Sequence, residues 1–114
     1  MPNKAEKLDR VFHALGDPTR RAVVKRLGTG PASVSELAAP FDMALPSFTQ
    51  HLGVLEACGL VRSRKEGRAR IYRLVPGPLK DVEKWMEEQR ALWERRLDQL
   101  DSYLLEMKEQ ETKK

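Results

Sequence analysis

Leu45 to Leu74 reads LPSFTQHLGVLEACGLVRSRKEGRARIYRL, and a change of period inside this stretch sets the architecture. Its first half carries Phe48, Leu52 and Leu55 at helical spacing. With Phe48 at the origin of a helical wheel, Leu52 falls at about 40° and Leu55 at about −20°, so the three form one buried stripe. Pro46 suits a first turn and Gly59 a C-terminal cap, which bounds a helix from about Leu45 to Ala57. The far side carries Pro46, Ser47, Thr49, Gln50 and Gly53, all small or hydrogen-bonding. The second half changes to strand signals. Leu60–Arg64 and Arg70–Leu74 read as two strands, with Glu66-Gly67-Arg68-Ala69 as the turn between them.

The two halves together have the chemistry of a duplex reader. A helix in the major groove needs short polar side chains that let the backbone approach, and a few that reach base edges. Gln50 has the groups to pair with adenine N6 and N7, and Ser47 and Thr49 suit bases or phosphates. His51, at about −60°, flanks the buried stripe in a structural or phosphate-side position. The hairpin gathers Arg62, Arg64, Lys65, Arg68, Arg70 and Arg73 against one acid, Glu66. Arg68 at the tip is the first choice for a phosphate or narrow minor-groove contact, followed by Arg64, Lys65 and Arg70. Val61 and Tyr72 are expected to point inward. The expected DNA-binding set is therefore Pro46, Ser47, Thr49, Gln50, His51, Arg64, Lys65, Arg68 and Arg70. Two plainer readings compete: an ordinary solvated helix face, and edge strands charged to prevent aggregation.

Outward to the N-terminus, Leu8, Val11, Phe12 and Leu15 predict a helix over about residues 5–15, ended by Gly16. Asp17-Pro18 opens the next, with Asp17 as cap and Ala22, Val23 and Leu27 as its buried stripe. Gly28-Thr29-Gly30-Pro31 stops it. Ser33-Val34-Ser35-Glu36 fits a capping box for a short helix over about 34–39 that buries Val34, Leu37 and Ala38. Outward to the C-terminus, Pro76-Gly77-Pro78 breaks the chain. From Leu79 to about Met107 there is neither Gly nor Pro, which predicts one long helix.

The fold class is thus mainly α with a β-hairpin wing: a winged helix-turn-helix with a long C-terminal dimerisation helix. The expected organisation is one domain over 1–114. Residues 5–77 form a DNA-binding core with the wing at 61–74, residues 78–108 the C-terminal helix, and 109–114 a frayed polar tail.

Composition agrees. The chain has 114 residues, 40% hydrophobic and 33% charged, which is a globular balance. Residues 1–78 hold 13 Lys/Arg and 7 Asp/Glu, whereas residues 79–114 hold 8 and 10, so the positive charge sits with the proposed reading surface. No apolar run is long enough to span a bilayer and the N-terminus has no secretory apolar region, so a cytoplasmic protein without membrane contact is expected. One cysteine allows no internal disulfide. No paired carboxylates, phosphate loop or nucleophile–base set stands out, so an enzyme is not expected.

Four segments carry a family resemblance: residues 14–21 (Ala14-Leu15-Gly16-Asp17-Pro18-Thr19-Arg20-Arg21), Val34-Ser35-Glu36-Leu37-Ala38, residues 50–61 and residues 66–74. In order and spacing, over about residues 8–75, they resemble the ArsR-type winged helix-turn-helix regulators. The long last helix is similar to a subgroup without metal ligands. The resemblance implies a homodimer that binds an operator and represses transcription, with the recognition helix at 45–57 and the wing at 61–74. Two positions depart from the family pattern: Ala44 stands where Ser or Thr usually caps the recognition helix, and Gly53 where a basic residue is frequent.

Metal-sensing relatives use cysteines in the third helix or His and acidic residues on the last. Here the third helix has no Cys and the last has neither His nor Cys, so no metal and no cofactor are expected. An inducer is not legible. Met86, Trp93, Leu100 and Met107 recur every seven residues, with Val82, Gln89, Arg96 and Tyr103 in parallel and Trp85, Leu92, Leu97 and Leu104 widening the stripe. That is a helix-pairing seam. The expected dimer interface comprises Leu8, Val11, Phe12, Val82, Trp85, Met86, Gln89, Trp93, Leu97, Leu100, Tyr103 and Leu104. Partners are then double-stranded DNA and a second copy, meeting a pseudo-palindromic operator. Two alternatives stay open: a winged-helix protein–protein module without DNA binding, and a redox-responsive repressor using Cys58.

Overall fold

The computed structural model describes residues 3–112. Local chemistry sets each element. Asn3 caps α1 (Lys4–Leu15), its Oδ1 accepting the Glu6 N–H at 2.8 Å. Asp17 caps α2 (Pro18–Leu27), with Pro18 in the first turn. Ala32–Ser33 forms a two-residue strand, β1. Ser33 also caps α3 (Val34–Ala38) through the expected capping box: Glu36 N–H donates to Ser33 Oγ, and Ser33 N–H donates to the Glu36 carboxylate, each at 3.2 Å. Then come α4 (Leu45–Ala57), β2 (Val61–Glu66), β3 (Ala69–Leu74) and α5 (Gly77–Thr112).

The end of α4 joins helix to hairpin. Gly59 has φ +82°, the left-handed region that an L side chain resists. Its N–H bonds Glu56 O, and the Leu60 N–H reaches back to Leu55 O at 3.0 Å. These two bonds form a Schellman motif, and the fully buried Leu55 and Leu60 close it with an apolar contact at one end of the core. The Leu60 carbonyl accepts the Val75 N–H at 2.8 Å, so one residue ties α4 to the end of β3.

The three-stranded antiparallel sheet has the order β1-β3-β2. Its hairpin is tighter than expected. The strands run to Glu66 and from Ala69, which pair with each other, and leave a two-residue loop. Gly67 has φ +62° and Arg68 keeps a negative φ, the Gly-first pattern of a tight hairpin turn whose twist matches the strands. β1, paired Ala32↔Tyr72 and Ser33↔Ile71, was not anticipated, because two residues carry no readable alternation.

Phe48, Leu52 and Leu55 of α4 are completely buried, as the wheel requires, among Val23, Leu27, Leu37, Leu60, Val61 and Tyr72. Phe41 packs its ring on Phe48, centroids 5.5 Å apart. On α2, Ala22 is exposed, and Val24 packs against the core beside Val23 and Leu27 instead. On α3 only Leu37 is fully buried, with Val34 and Ala38 partly so.

Two expected interface residues belong to this core. Val11 is 3% exposed and Val82 is 9% exposed, both inside the hydrophobic cluster. Periodicity reveals an apolar face but not what covers it, and here the chain's own core does. Leu8 is half-buried against the same cluster.

The described residues fall into two compact units, divided after Val82. The second consists of the distal part of α5. This helix has 36 residues, about 54 Å at 1.5 Å each. It starts at Gly77, with Pro78 inside the first turn instead of before it. It also runs past 108 to Thr112, so residues 109–112 of the expected frayed tail are helical: Lys108 to Glu111 are good helix formers, and Thr112 Oγ1 bonds Glu109 O. Lys113 and Lys114 lie outside the described residues. Glu87 and Glu94 flank Arg90 one turn before and after, at 2.6 and 3.9 Å. The side-chain hydrogen bond from Arg90 to Glu87 raises its pKa further.

Candidate nucleic-acid interface

α3 and α4 are joined by a short connection, and the buried stripe of α4 turns its opposite face outward. Pro46, Ser47, Thr49, Gln50 and Gly53 are all exposed there. Thr49 Oγ1 donates to Pro46 O at 3.0 Å, which steadies the first turn. Ala44 provides no side-chain cap, as its identity requires. Gly53 is the informative residue. A Cβ built there meets nothing within 4 Å, so the chain's own packing does not demand glycine. A glycine inside a helix costs about 1 kcal/mol relative to alanine.

The register divides the wing's cations between two faces. Lys65↔Arg70 and Ser63↔Tyr72 share the face of the buried Val61. Arg62↔Arg73 and Arg64↔Ile71 lie on the other. Arg64 is therefore separated from Lys65 and Arg70, with which it was grouped. Arg70 Nη1 donates to Ser63 Oγ at 2.8 Å, and Ser63 Oγ donates to Glu56 Oε1 of α4 at 2.9 Å. Arg73 pairs with Glu66 at 2.8 Å. Arg62, Arg64, Lys65 and Arg68 make no ion pair or side-chain hydrogen bond with the described residues. Glu56 and Ser63 were not singled out from sequence. Strand alternation was the available signal, since it places Ser63 on the face of Lys65.

His51 differs from the rest of the expected set. Its ring is turned inward and its side chain is 22% exposed. Nδ1 lies 3.1 Å from Arg20 Nη1 and 3.7 Å from Asp17 Oδ2. It belongs to a polar cluster on α2, because a residue flanking the buried stripe meets the neighbouring helix. The Arg20 N–H donating to Asp17 holds that carboxyl below its ordinary range, helped by the Arg20 charge. The Ser33 backbone and hydroxyl do the same for Glu36.

Cys58 is half-buried, and its thiol donates to Leu55 O at 3.3 Å. Among the described residues no three His, Cys, Asp or Glu side chains gather to hold a metal ion. No described helix is long and apolar enough to cross a membrane. On α5, Trp93, Leu97, Leu100, Tyr103 and Leu104 are each at least 51% exposed.

A helical core, a small-residue helix face and a cationic two-stranded wing define a winged helix-turn-helix DNA-binding protein. Residues 15–64 match the family described as Helix-turn-helix domain. The HTH-type transcriptional regulator Rv2034 of Mycobacterium tuberculosis is 47% identical over 68 residues, covering 60% of this chain and 64% of that protein, just under two thirds of its length. The transcriptional repressor SdpR of Bacillus subtilis is 30% identical over 79 residues, covering 69% and 88%. The crystal structure of an ArsR family transcriptional regulator superposes with TM-score 0.77 at 53% identity, covering 82% of this chain and 97% of that one. The homodimeric winged helix-turn-helix DNA-binding domain of a possible ArsR-family regulator from Mycobacterium bovis, solved in solution, gives TM-score 0.59 at 27% identity, covering 82% and 83%. The chain belongs to the ArsR family of transcriptional regulators, a non-enzymatic class.

Proposed function

We propose that the protein is a homodimeric repressor of transcription that reads a pseudo-palindromic operator with α4 and steadies itself on flanking backbone with the wing. One observation carries the reading. A polar α4 face, bare at Gly53, stands with four wing cations that have no partner among the described residues. Gln50 reads bases, Ser47 and Thr49 serve bases or phosphates, and Pro46 shapes the approach of the first turn. Arg68 and Lys65 hold phosphates, with Arg64 reaching the backbone from the opposite face of the hairpin and Arg70 acting from its tether on Ser63. No metal takes part in this reading, and the expected place of action is the cytoplasm.

The dimer is supported by the exposed apolar residues Trp93, Leu97, Leu100, Tyr103 and Leu104, with Trp85, Met86, Gln89 and Leu92 on the same stripe, and on α1 by Phe12 with the half-buried Leu8. Surface of this kind on one helix matches a helix-pairing seam. Two copies would set their recognition helices about 34–36 Å apart, one turn of the duplex. The relatives named as repressors favour repression over activation.

The test is selection of duplexes from a random-sequence library by the full chain, with sedimentation of the free protein. Enrichment of an inverted repeat by a dimer is expected. The double substitution Leu97→Glu, Leu100→Glu should give a folded monomer that binds a half-site weakly. Failure to enrich any duplex would leave the interaction-module reading, and an unaltered dimer in the double variant would remove α5 from the interface.

A further inference from the structure

Arg20 of α2 uses all three guanidinium nitrogens on two other helices. Nε donates to Ala14 O at 2.7 Å and Nη2 to His13 O at 3.1 Å, both carbonyls of the last turn of α1, the second of which also accepts the Gly16 N–H. Nη1 meets Nδ1 of His51 on α4 at 3.1 Å. A guanidinium only donates, so this third bond exists only while Nδ1 keeps its lone pair, that is, for a neutral imidazole carrying its proton on Nε2. Protonation turns Nδ1 into a donor facing a cation. The carboxylate beside it is Asp17 Oδ2, at 3.7 Å. The ring thus has two mutually exclusive partners on α2.

We propose that Arg20 is a positioning residue for the recognition helix, and that His51 makes this joint proton-dependent, exchanging Arg20 for Asp17 on acidification and weakening duplex binding. The inference rests on the DNA-binding reading. Its sign separates it from the contact role expected of His51 from sequence, since a protonated histidine on a phosphate would strengthen binding.

The charged groups facing the ring from α2 are Asp17 and Arg20. From α1, His13 contributes its carbonyl through Arg20. The remaining elements on α4 bring Glu36, engaged with Ser33 and Arg26, and β2, with Glu66 paired to Arg73 and with Arg62, Arg64 and Lys65. On α4 itself the other titratable group is Glu56, bonded to Ser63. Asp17 stays anionic well into acid because its carboxylate accepts the Arg20 N–H.

The experiment uses the full chain and its His51→Asn variant, whose amide oxygen can accept from Arg20 at any pH. Fluorescence anisotropy is measured at about pH 8 and pH 5.5, at fixed ionic strength, on a duplex selected by the wild type at the higher pH. Wild-type affinity should fall roughly tenfold on acidification, the size of one charge-assisted hydrogen bond, while the variant changes little. His13 is common to both proteins and is controlled by the comparison. An equal response in the two, or tighter wild-type binding in acid, would overturn the proposal. Nitrogen NMR of the DNA-free protein gives a second arm. His51 should carry its proton on Nε2 at about pH 8, and the Arg20 guanidinium signals should move as the pH is lowered. A proton found on Nδ1 overturns the joint. Failure to select any duplex would instead sink the DNA reading, and this arm still decides the joint.

Discussion

Lys65 stands directly opposite Arg70 across the hairpin, and three positions nearer its base Arg62 stands opposite Arg73. Like charges directly opposite one another destabilise a strand pair. Arg73 is relieved by Glu66, and Arg70 leans on Ser63, while Lys65 and Arg62 have no counter-charge among the described residues. Like charges so placed repel one another in the free protein, and a bound polyanion would offset that repulsion. That arrangement argues against edge protection as its purpose, since alternating signs would protect an edge without the repulsion.

Arg68→Ala removes a cation from the turn without touching a strand pair. Binding should weaken by a similar factor on every duplex, and the slope of log affinity against log salt should become shallower by about one. Titrations at several salt concentrations, on selected and scrambled duplexes, check both parts.

Gln50→Ala should act differently. The loss is expected on one base pair of each half-site, at about 1–3 kcal/mol of discrimination, with the salt slope unchanged. Anisotropy across single-base variants of the selected operator locates the relaxed position. If every base pair is discriminated as before, Gln50 does not read bases.

Gly53→Ala should separate stability from function. The open space around this position and the helix propensity of alanine predict a fold stabilised by about 0.5–1 kcal/mol, measured by urea unfolding. Duplex affinity should drop about fivefold or more, from roughly 1 kcal/mol of crowding at the contact. A variant both more stable and equally tight would show that nothing approaches the helix here.

Acid should loosen two caps. Asp17 and Glu36 both have folded-state pKa values lowered beneath 3.8 and 4.5, chiefly by the backbone N–H groups of Arg20 and Ser33 respectively. A carboxylate whose pKa is depressed by folding stabilises fully above its unfolded value, and that contribution disappears as pH falls through the folded one. Unfolding curves of Asp17→Asn and Glu36→Gln should lie below wild type near neutrality and converge with it as pH falls through the folded-state values. Parallel curves throughout would mean the caps add nothing.

Much of this molecule is legible in one sequence because its elements are punctuated locally. The ends of α4, the Ser33–Glu36 box and the Gly59 cap all follow from residues within a turn of one another. Whatever depends on a distant partner is not legible. β1 exists only because β3 lies beside it. Val11 and Val82 show the same periodicity as true surface positions, and only the folded core distinguishes them. The wheel placed His51 beside the buried stripe, but its Arg20 partner is 31 residues away. The missing side-chain cap at Ala44 was readable because it depends on one residue's chemistry.

Leu60 has consequences for how the protein and its operator can change. Its amide is committed to the helix and its carbonyl to the end of the hairpin, so a swivel of either part alone would break a backbone hydrogen bond. On the proposed reading, the distance between base-reading and backbone-gripping points within one subunit would then act as a fixed ruler. Drift between this regulator and its sites is then confined to swapping letters. Insertions that stretch a half-site would be rejected outright, which makes spacing the most durable signature by which its targets in a genome can be found.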